Sequence, residues 1–555
     1  MNHMIDIKNI DYSNIHNVKE LYERYNVNSN CLVTEKKTEK DLEKIDKAKK
    51  HVSKPEDKFD VVYSDFKAPI SNIFRHIIVF TNDRDTNNNK TLKNILDARD
   101  ALKKAKAEIV PEIHVFVAAE VNADEDEYVI EITDGDEKFV IEKESNLDTL
   151  IFSRLGVQNE DQCEHIVQLL QDRGFLVLNP VKYSSLACNK YDSAVLFRKG
   201  NIPQPNFTLM TKDILYDEKL YHAGMQEVYP NWNTKDSDKN SDLMFVMKIL
   251  DGHGGTGVAM IDGKKIYAVL QMIFAIDPER QILLQKKEEA DGGDIRVHVL
   301  TLRNKQVILA AMKRIKLGND FRSNVSLGAE AEPVTLTPEQ EQIALKTAQL
   351  SHLPWCAVDI MPLVKGSNKE LGDNVVLEIN ASPGTDGISD VIKHNFVNIL
   401  LNELDDPSKF FLQEKIAGYI EAVKIKFGDN IEKEFLAKLD TGNSTKASVL
   451  EVGEFEVNDN KVSFEVDGKK LVFDKIDDSN AVAGEETYNR PIIVVPEITL
   501  GLRKLKDVPV AVVKDRNKKT TNFLLNRDAM SKLGYVVNPN TAHILTKEMQ
   551  KVKII

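Results

Sequence analysis

Apolar residues along this chain change rhythm three times, and each change predicts a different kind of element. Between 74 and 180 short apolar runs alternate with longer amphipathic stretches. HIIVF (76–80) reads as a buried strand, TLKNILDARDALKKA (91–105) as an amphipathic helix and EIHVFVAAE (112–120) as a second strand. YVIEI and KFVIE (128–132, 138–142) flank Asp134-Gly135 as a hairpin. TLIFSRLG (149–156), a helix over 160–173 and FLVLN (175–179) continue the alternation, which implies a small α/β layer domain. The strand LMFVMKIL (243–250) opens a second region. A helix that follows VVLEIN closes it near DDPSKF (405–410). Beyond about 430 the pattern is β-rich, with EFLAKLDTG (434–442), KVSFEV and KKLVF around Asp467-Gly468, RPIIVVPEI (490–498) and VPVAVVKD (508–515). Short strands separated by turn signals predict a small barrel. Ahead of all this, the Lys/Glu-rich stretch 34–50 reads as a solvated helix closed by Pro55. The resulting division is an extension at 1–70, an α/β domain at 71–184, a central domain at 185–405, a linker at 406–429 and a β domain at 430–555.

Chemistry-bearing residues concentrate in the central region. Glu378 and Asn380 are two positions apart on an alternating strand, so both point to one face. Two oxygen ligands side by side suit a hard cation, and Asp359 in WCAVDIMPLV (355–364) supplies a third from a neighbouring strand. A Glu-x-Asn on a strand is by itself ordinary. The run DGHGGTGV (251–258) leaves backbone N–H groups uncovered for phosphate oxygens, with Lys248 three residues ahead as a point charge. It fits neither the P-loop nor the dinucleotide pattern, and alone it reads first as a hairpin tip. Asp294, Arg296 and His298 alternate on one strand, as do Arg314 and Lys316 on the next. Charges seldom persist over two buried strands unless they face a ligand, although a solvated edge explains the alternation itself. Arg322-Ser323-Asn324 then offers three hydrogen-bonding side chains in a polar loop.

Composition narrows the classes. With 555 residues the chain accommodates three or four domains of roughly 150 residues each. The formal charge, 74 − 87 = −13, argues against general affinity for nucleic acid. Four widely spaced cysteines form no metal pattern and read as reduced thiols. The opening MNHMIDIKNIDYS has no signal-peptide core, and no apolar run approaches membrane-spanning length, so the expectation is a soluble, cytoplasmic protein without a membrane partner.

The order of these motifs resembles the ATP-grasp superfamily, and within it the RimK-type glutamate ligases. The resemblance covers roughly 150–405, through SRLG (153–156), the Lys190 segment, VMKILDGHGGTGV (246–258), DIR (294–296), NDFRSN (319–324), AVDI (357–360) and VLEINASPGTDGI (376–388). It implies that Lys190, Lys248 and the loop Gly254, Gly255, Thr256 and Gly257 meet the nucleotide phosphates. It also implies that Gln285, Lys286 and Lys287 line the adenine hinge, that Asp294 lies by the ribose or phosphates, and that Arg322, Ser323 and Asn324 contact ATP. Asp359, Glu378 and Asn380 would hold Mg²⁺, with Mn²⁺ as the alternative, and Arg314 would stabilise the transferring charge. Lys286 and Lys287 depart from the Glu and apolar residue usual at the hinge, where recognition rests mostly on main-chain groups.

The region 430–546 resembles the retropepsin-like family often labelled ATP-dependent zinc protease, through AKLDTG (437–442), NRPIIVVPEITL (489–500), NFLLNRDAM (522–530) and YVVNPNTAHIL (535–545). Asp440-Thr441-Gly442 would then place a catalytic carboxyl in a tight turn, and activity would require a twofold dimer pairing Asp440 with its mate. Taken without its context, the triplet reads first as a plain Asp turn. Asn443 and Asn526 depart from that family's pattern, and no His/Cys cluster supports zinc there.

Together these readings predict an α/β (α+β) ATP-grasp fold with an N-terminal α/β pre-ATP-grasp domain and a C-terminal all-β retropepsin-like barrel. The expected function is an ATP- and Mg²⁺-dependent carboxylate–amine ligase working through an acyl phosphate. Glutamate would be the amino acid added, and a protein or peptide C-terminus, a ribosomal protein among the candidates, the acceptor. The protein is expected to be a homo-oligomer. The C-terminal domain would add an aspartic-peptidase-like activity, and a small-molecule peptide or glutathione-type ligase, a non-catalytic nucleotide-binding regulator and a protease as the main function are the alternatives.

Overall fold

The computed structural model describes residues 70–549, apart from 126–128, 143–144, 155–160, 253–255, 304, 316–329, 367–370, 429–430, 484–485, 517–519 and 548. The expected helix at 34–50 lies outside the described residues, as do Gly254, Gly255, Lys316, Arg322, Ser323 and Asn324.

In the first domain β1 (His76–Thr81), β2 (Glu112–Val117), β6 (Thr149–Arg154) and β7 (Leu176–Leu178) form a sheet in the order β2-β1-β6-β7. Every pairing in it is parallel. Such a sheet needs cover on both faces, which is why its strands read as continuous apolar runs. One face packs on α1 (Lys90–Ala105) and on Leu300, Val307, Trp355 and Phe396 of the next domain. The other meets α2 (Asp161–Asp172) and the antiparallel ribbon of β3 (Asn122–Glu125), β4 (Val129–Thr133) and β5 (Lys138–Glu142). The ends of β1 and β6 lie side by side where the strand order reverses, the place at which open α/β sheets bind ligands.

Two short helices, α3 (Val181–Cys188) and α4 (Lys190–Lys199), lead into the central domain, which holds two antiparallel sheets. The first has the order β10-β9-β11-β8, from β8 (Phe207–Met210), β9 (Met244–Ile249), β10 (Val258–Asp262) and β11 (Ile282–Lys286). Its apolar face, with Phe245, Ile282 and Leu284, packs against helices that include Glu218–Val228 and Ile266–Ile276. The second has the order β14-β13-β12-β15-β16, from β12 (Asp294–Leu302), β13 (Lys305–Ile315), β14 (Glu330–Pro333), β15 (Trp355–Pro362) and β16 (Asn374–Asn380).

The C-terminal domain is a barrel. Its strands run in the order β18-β19-β27-β20-β26-β25-β24, and a further β18–β25 pairing closes a ring of six, which leaves no free edge in that ring. The strands are β18 (Ile420–Gly428), β19 (Ile431–Asp440), β20 (Ser448–Glu451), β24 (Asp477–Ala483), β25 (Glu486–Leu500), β26 (Arg503–Val513) and β27 (Phe523–Asn526). The stretch 406–429 expected as a linker is therefore corrected. It supplies β18, whose Val423, Ile425 and Phe427 alternate into the barrel core. Arg503, 1% exposed, donates to the carbonyls of Leu533, Gly534 and Gln413, and at 3.4 Å to Gln171 of the first domain. Among the described residues no helix is long and apolar enough to cross a membrane.

Candidate functional site

The five-stranded sheet brings the distant charged residues together through register. Across β15 and β16, Asp359 pairs with Glu378 and Ala357 with Asn380. Across β12, Arg296 pairs with Asp359 on one side, while Asp294 pairs with Arg314 on the other. Directly opposed residues point to the same face, so one face of the sheet carries a band of five charges.

Within this band Arg296 binds Asp359 in a fork, Nε to Oδ1 at 2.8 Å and Nη2 to Oδ2 at 2.7 Å. Arg314 forks onto Asp294 at 2.6 and 2.7 Å, and its Nη2 also reaches Asp359 Oδ2 at 2.8 Å. Burial by itself would raise the Asp359 pKa, but the Arg296 and Arg314 guanidiniums outweigh it and hold the carboxyl far below its usual range. Arg314, itself opposed by burial, is kept charged by Asp359 and Asp294. Asp294, 4% exposed, thus spends both oxygens on orienting Arg314.

Glu378 is the carboxylate of the band least committed to its neighbours. It is 33% exposed, 4.0 Å from Arg296 Nη2 and 3.5 Å from Asn380 Nδ2. Asn380 Nδ2 also lies 3.4 Å from Asp359 Oδ2, and a half-turn of its amide puts Oδ1 in the same place. Two carboxylates and an amide oxygen make a hard donor set, which fits Mg²⁺ and Mn²⁺ better than a soft ion.

The cations come from the other side of the cleft. Lys248 near the end of β9 and Lys190 at the start of α4 are both held below the usual lysine pKa by burial, and the Glu378 charge opposes this in each. The two ammoniums and the Glu378 carboxylate thus share one field. Lys190 Nζ donates to the Gly252 carbonyl, which ties the start of α4 to the glycine run. At the end of that run Gly257 has φ +73°, and a Cβ there would lie 2.3 Å from the Ile249 side chain, so only glycine fits. Thr256 beside it is exposed. At the expected hinge Gln285 is buried. The Lys286 and Lys287 N–H groups donate to Asn206 and Met244 carbonyls, and Lys286 Nζ pairs with Glu288 at 3.0 Å.

A feature the motif reading passed over is a cavity of about 350 Å³ at the carboxyl ends of β1 and β6. Thr81, Asn82, Asp83, Lys90, Arg154 and Asp386 are among its lining residues. Arg154 lies 3.4 Å from Thr91 Oγ1, with its guanidinium 5.8 Å above the Trp355 ring. Among the described residues it has no acidic partner, and burial pushes its pKa down to about 10. The sequence signal for Arg154 was its place in the SRLG motif (153–156), at the end of the apolar strand 149–154, without a role assigned to it. Asp386 starts a helix six residues beyond Asn380, so the cavity adjoins the charged band through the turn Ala381–Thr385.

Residues 187–404 match the family model of the RimK-like ATP-grasp domain, a span that contains Lys190, Lys248 and the whole charged band. The probable α-L-glutamate ligase of Thioalkalivibrio sulfidiphilus (strain HL-EbGR7) is 38% identical over 145 residues, which is 26% of this chain and 44% of that protein. The corresponding protein of Haemophilus influenzae is 27% identical over 263 residues, 45% of this chain and 77% of that one. The chain spans less than half the length of the curated relatives it matches first, with 44%, 36% and 44% covered. Among solved structures, the ATP-grasp ligase PsnB, complexed with a phosphomimetic variant of its minimal precursor, Mg and ADP, is 16% identical. Its TM-score is 0.42, over 60% of this chain and 98% of that one.

These findings correct the expected fusion to a retropepsin-like protease. The family match ends at 404, the matched curated relatives are probable α-L-glutamate ligases, and nothing among them identifies the barrel as retropepsin-like. Locally, Asp440 Oδ1 accepts the Gly442 N–H at 3.3 Å and the Asp440 carbonyl accepts the Asn443 N–H at 3.0 Å. Asp440 is accordingly the residue of a plain Asp turn at the end of β19.

Proposed function

We propose that this chain is an ATP- and Mg²⁺-dependent carboxylate–amine ligase that adds a glutamate-type residue to the carboxyl end of a peptide or protein. The observation that carries this reading is the convergence of Lys190 and Lys248 from one side with Asp359, Glu378 and Asn380 from the other. Lys190 and Lys248 would hold phosphate oxygens as point charges. Mg²⁺ bound by Asp359, Glu378 and Asn380 would neutralise charge on the transferring phosphoryl group. Arg314, locked in place by Asp294, provides a fixed positive charge where charge accumulates.

The acceptor carboxylate oxygen attacks the γ-phosphorus, the bond to the β,γ-bridging oxygen breaks, and ADP leaves. The amine of the incoming amino acid then attacks the acyl carbon. The bond from that carbon to the phosphate oxygen breaks, phosphate departs and the amine proton passes to solvent. The cavity beside Asp386 is sized for an amino acid. Arg154 and Lys90 suit its carboxylates, and Asp83 and Asp386 suit its ammonium.

The test is ADP and phosphate release by the purified chain with ATP, Mg²⁺, glutamate and a peptide bearing a free C-terminal carboxylate. Mass spectrometry should show the peptide heavier by one or more glutamyl residues. ADP release indifferent to glutamate, or no mass increment, would overturn the proposal.

A further inference from the structure

At the other end of the N-terminal sheet, three potential ligands meet outside the ligase centre. His76 and Glu112 open β1 and β2 and stand directly opposite each other in the parallel register. His114, two residues further along β2, lies on the same face as Glu112. His76 Nδ1 is 3.7 Å and His114 Nε2 is 3.8 Å from the same Glu112 oxygen, Oε2. All three ligand atoms lie within 4.8 Å of one another. Both nitrogens are buried and neither has a hydrogen-bond partner.

The far side of His114 limits what its near side can be. Its Nδ1 is 3.4 Å from Glu137 Oε1, so the ring proton belongs there and Nε2 is left with a lone pair. The Phe139 ring stacks on the imidazole at 3.7 Å and fixes its plane. A lone pair on His114 therefore faces a carboxylate oxygen, and the His76 nitrogen on the same oxygen likewise has no hydrogen-bond partner among the described residues. A cation between the three relieves this mismatch.

We propose that His76, Glu112 and His114 bind a divalent transition-metal ion of the Zn²⁺ class, with Glu137 as the carboxylate that orients His114. Two imidazoles and a carboxylate suit Zn²⁺ and leave its fourth position open, whereas Mg²⁺ prefers an all-oxygen set. Metal–ligand bonds of about 2.0–2.2 Å place tetrahedral ligand atoms roughly 3.3 Å apart, so closure asks for shifts of about 0.5–1.5 Å. Glu112, 73% exposed, is free to supply most of that movement. Thr81, which lines the ligase cavity, is five residues along β1 from His76, or about 16 Å at 3.3 Å per residue. The ion would clasp β1, β2 and the β4–β5 hairpin together, away from the site of chemistry.

The test uses the full chain stripped of metal by a chelator and then held in excess Mg²⁺, which saturates the hard-oxygen site. Titration with Zn²⁺ by calorimetry and with Co²⁺ by visible absorption should show one tight equivalent per chain and an intense four-coordinate Co²⁺ spectrum. Glu112→Gln, an exposed change that leaves the fold intact, and His114→Ala should each abolish that equivalent. Glu137→Gln should weaken it by about 10–100-fold. Zn²⁺ should raise the melting temperature of the wild type but not of Glu112→Gln. Lack of a tight equivalent in the wild type, or one that persists in both Glu112→Gln and His114→Ala, would overturn the proposal.

Discussion

Asp359 and Glu378 face each other in the metal-binding set proposed above, yet their surroundings predict opposite consequences when each loses its charge. In Asp359→Asn the buried Arg314 and the half-buried Arg296 lose a carboxylate that is 1% exposed and receives three charged hydrogen bonds, from Arg296 at 2.8 and 2.7 Å and from Arg314 at 2.8 Å. Arg314 retains Asp294, while among the described residues Arg296 keeps Glu378 at 4.0 Å. Removing one partner from a buried ion pair costs about 3–5 kcal/mol, because the other charge stays buried without compensation. At about 2–4 °C per kcal/mol for a domain of this size, the melting temperature should fall by roughly 6–20 °C. Glu378→Gln removes a carboxylate that is 33% exposed and lies 3.5 Å from Asn380 Nδ2 and 4.0 Å from Arg296 Nη2, so the loss should stay under about 1 kcal/mol. Both variants should lose glutamate-dependent ADP release, Glu378→Gln by about 10²–10³-fold with its fold intact. Calorimetric melting without nucleotide or divalent ion, beside an ADP-release assay, separates the two effects. Equal melting temperatures for the two variants, or full turnover by Glu378→Gln, would refute this reading of the band.

Lys248→Ala should raise the Michaelis constant for ATP by about 10–150-fold and also slow turnover, since the lost charged hydrogen bond is worth about 1.5–3 kcal/mol. Unchanged ATP kinetics would make the strand end and glycine run structural. Arg154→Met should raise the Michaelis constant for glutamate by a comparable factor while that for ATP stays within about twofold. A change in the ATP constant alone would remove the cavity from the amino-acid site. His298 is fully buried against the Trp355 and Phe396 rings, with neither ring nitrogen hydrogen-bonded among the described residues and a pKa lowered by burial to about 3. The unfolded chain binds this proton below about pH 6.5 while the folded chain does not until about pH 3. Stability is therefore lost as the pH falls through that window, by up to about 5 kcal/mol. Urea denaturation at pH 7 and pH 4 should show a smaller acid loss in His298→Leu than in wild type, and equal losses would refute the assignment.

The elements of the first domain and of the two central sheets were readable because apolar periodicity is a local property. HIIVF, LMFVMKIL and VVLEIN each carry their period within a single strand, and the strands His76–Thr81, Met244–Ile249 and Asn374–Asn380 follow it. The strand at 420–428 was equally legible, since Val423, Ile425 and Phe427 alternate, but the polar residues around 405–414 drew the boundary past it. The Asp440 triplet shows the converse. A short motif has the same letters in a plain turn as in a catalytic one, and only its surroundings distinguish them.

What the sequence determined by itself was the local share of the site. Two-residue spacing on a strand places Glu378 beside Asn380, and a strand terminus places Lys248 at the glycine run. The tertiary structure decided the partnerships. Asp359 lies opposite Glu378, and Arg296 opposite Asp359, because of registers between strands separated by up to about 60 positions in sequence. A slip of one residue in either pairing would turn those side chains to the other face. Packing of whole sheets, not any local pattern, selects such registers. The same holds for Arg154, which reaches its cavity because β6 lies beside β1, and for His76, Glu112 and His114, which meet because two parallel strands begin side by side.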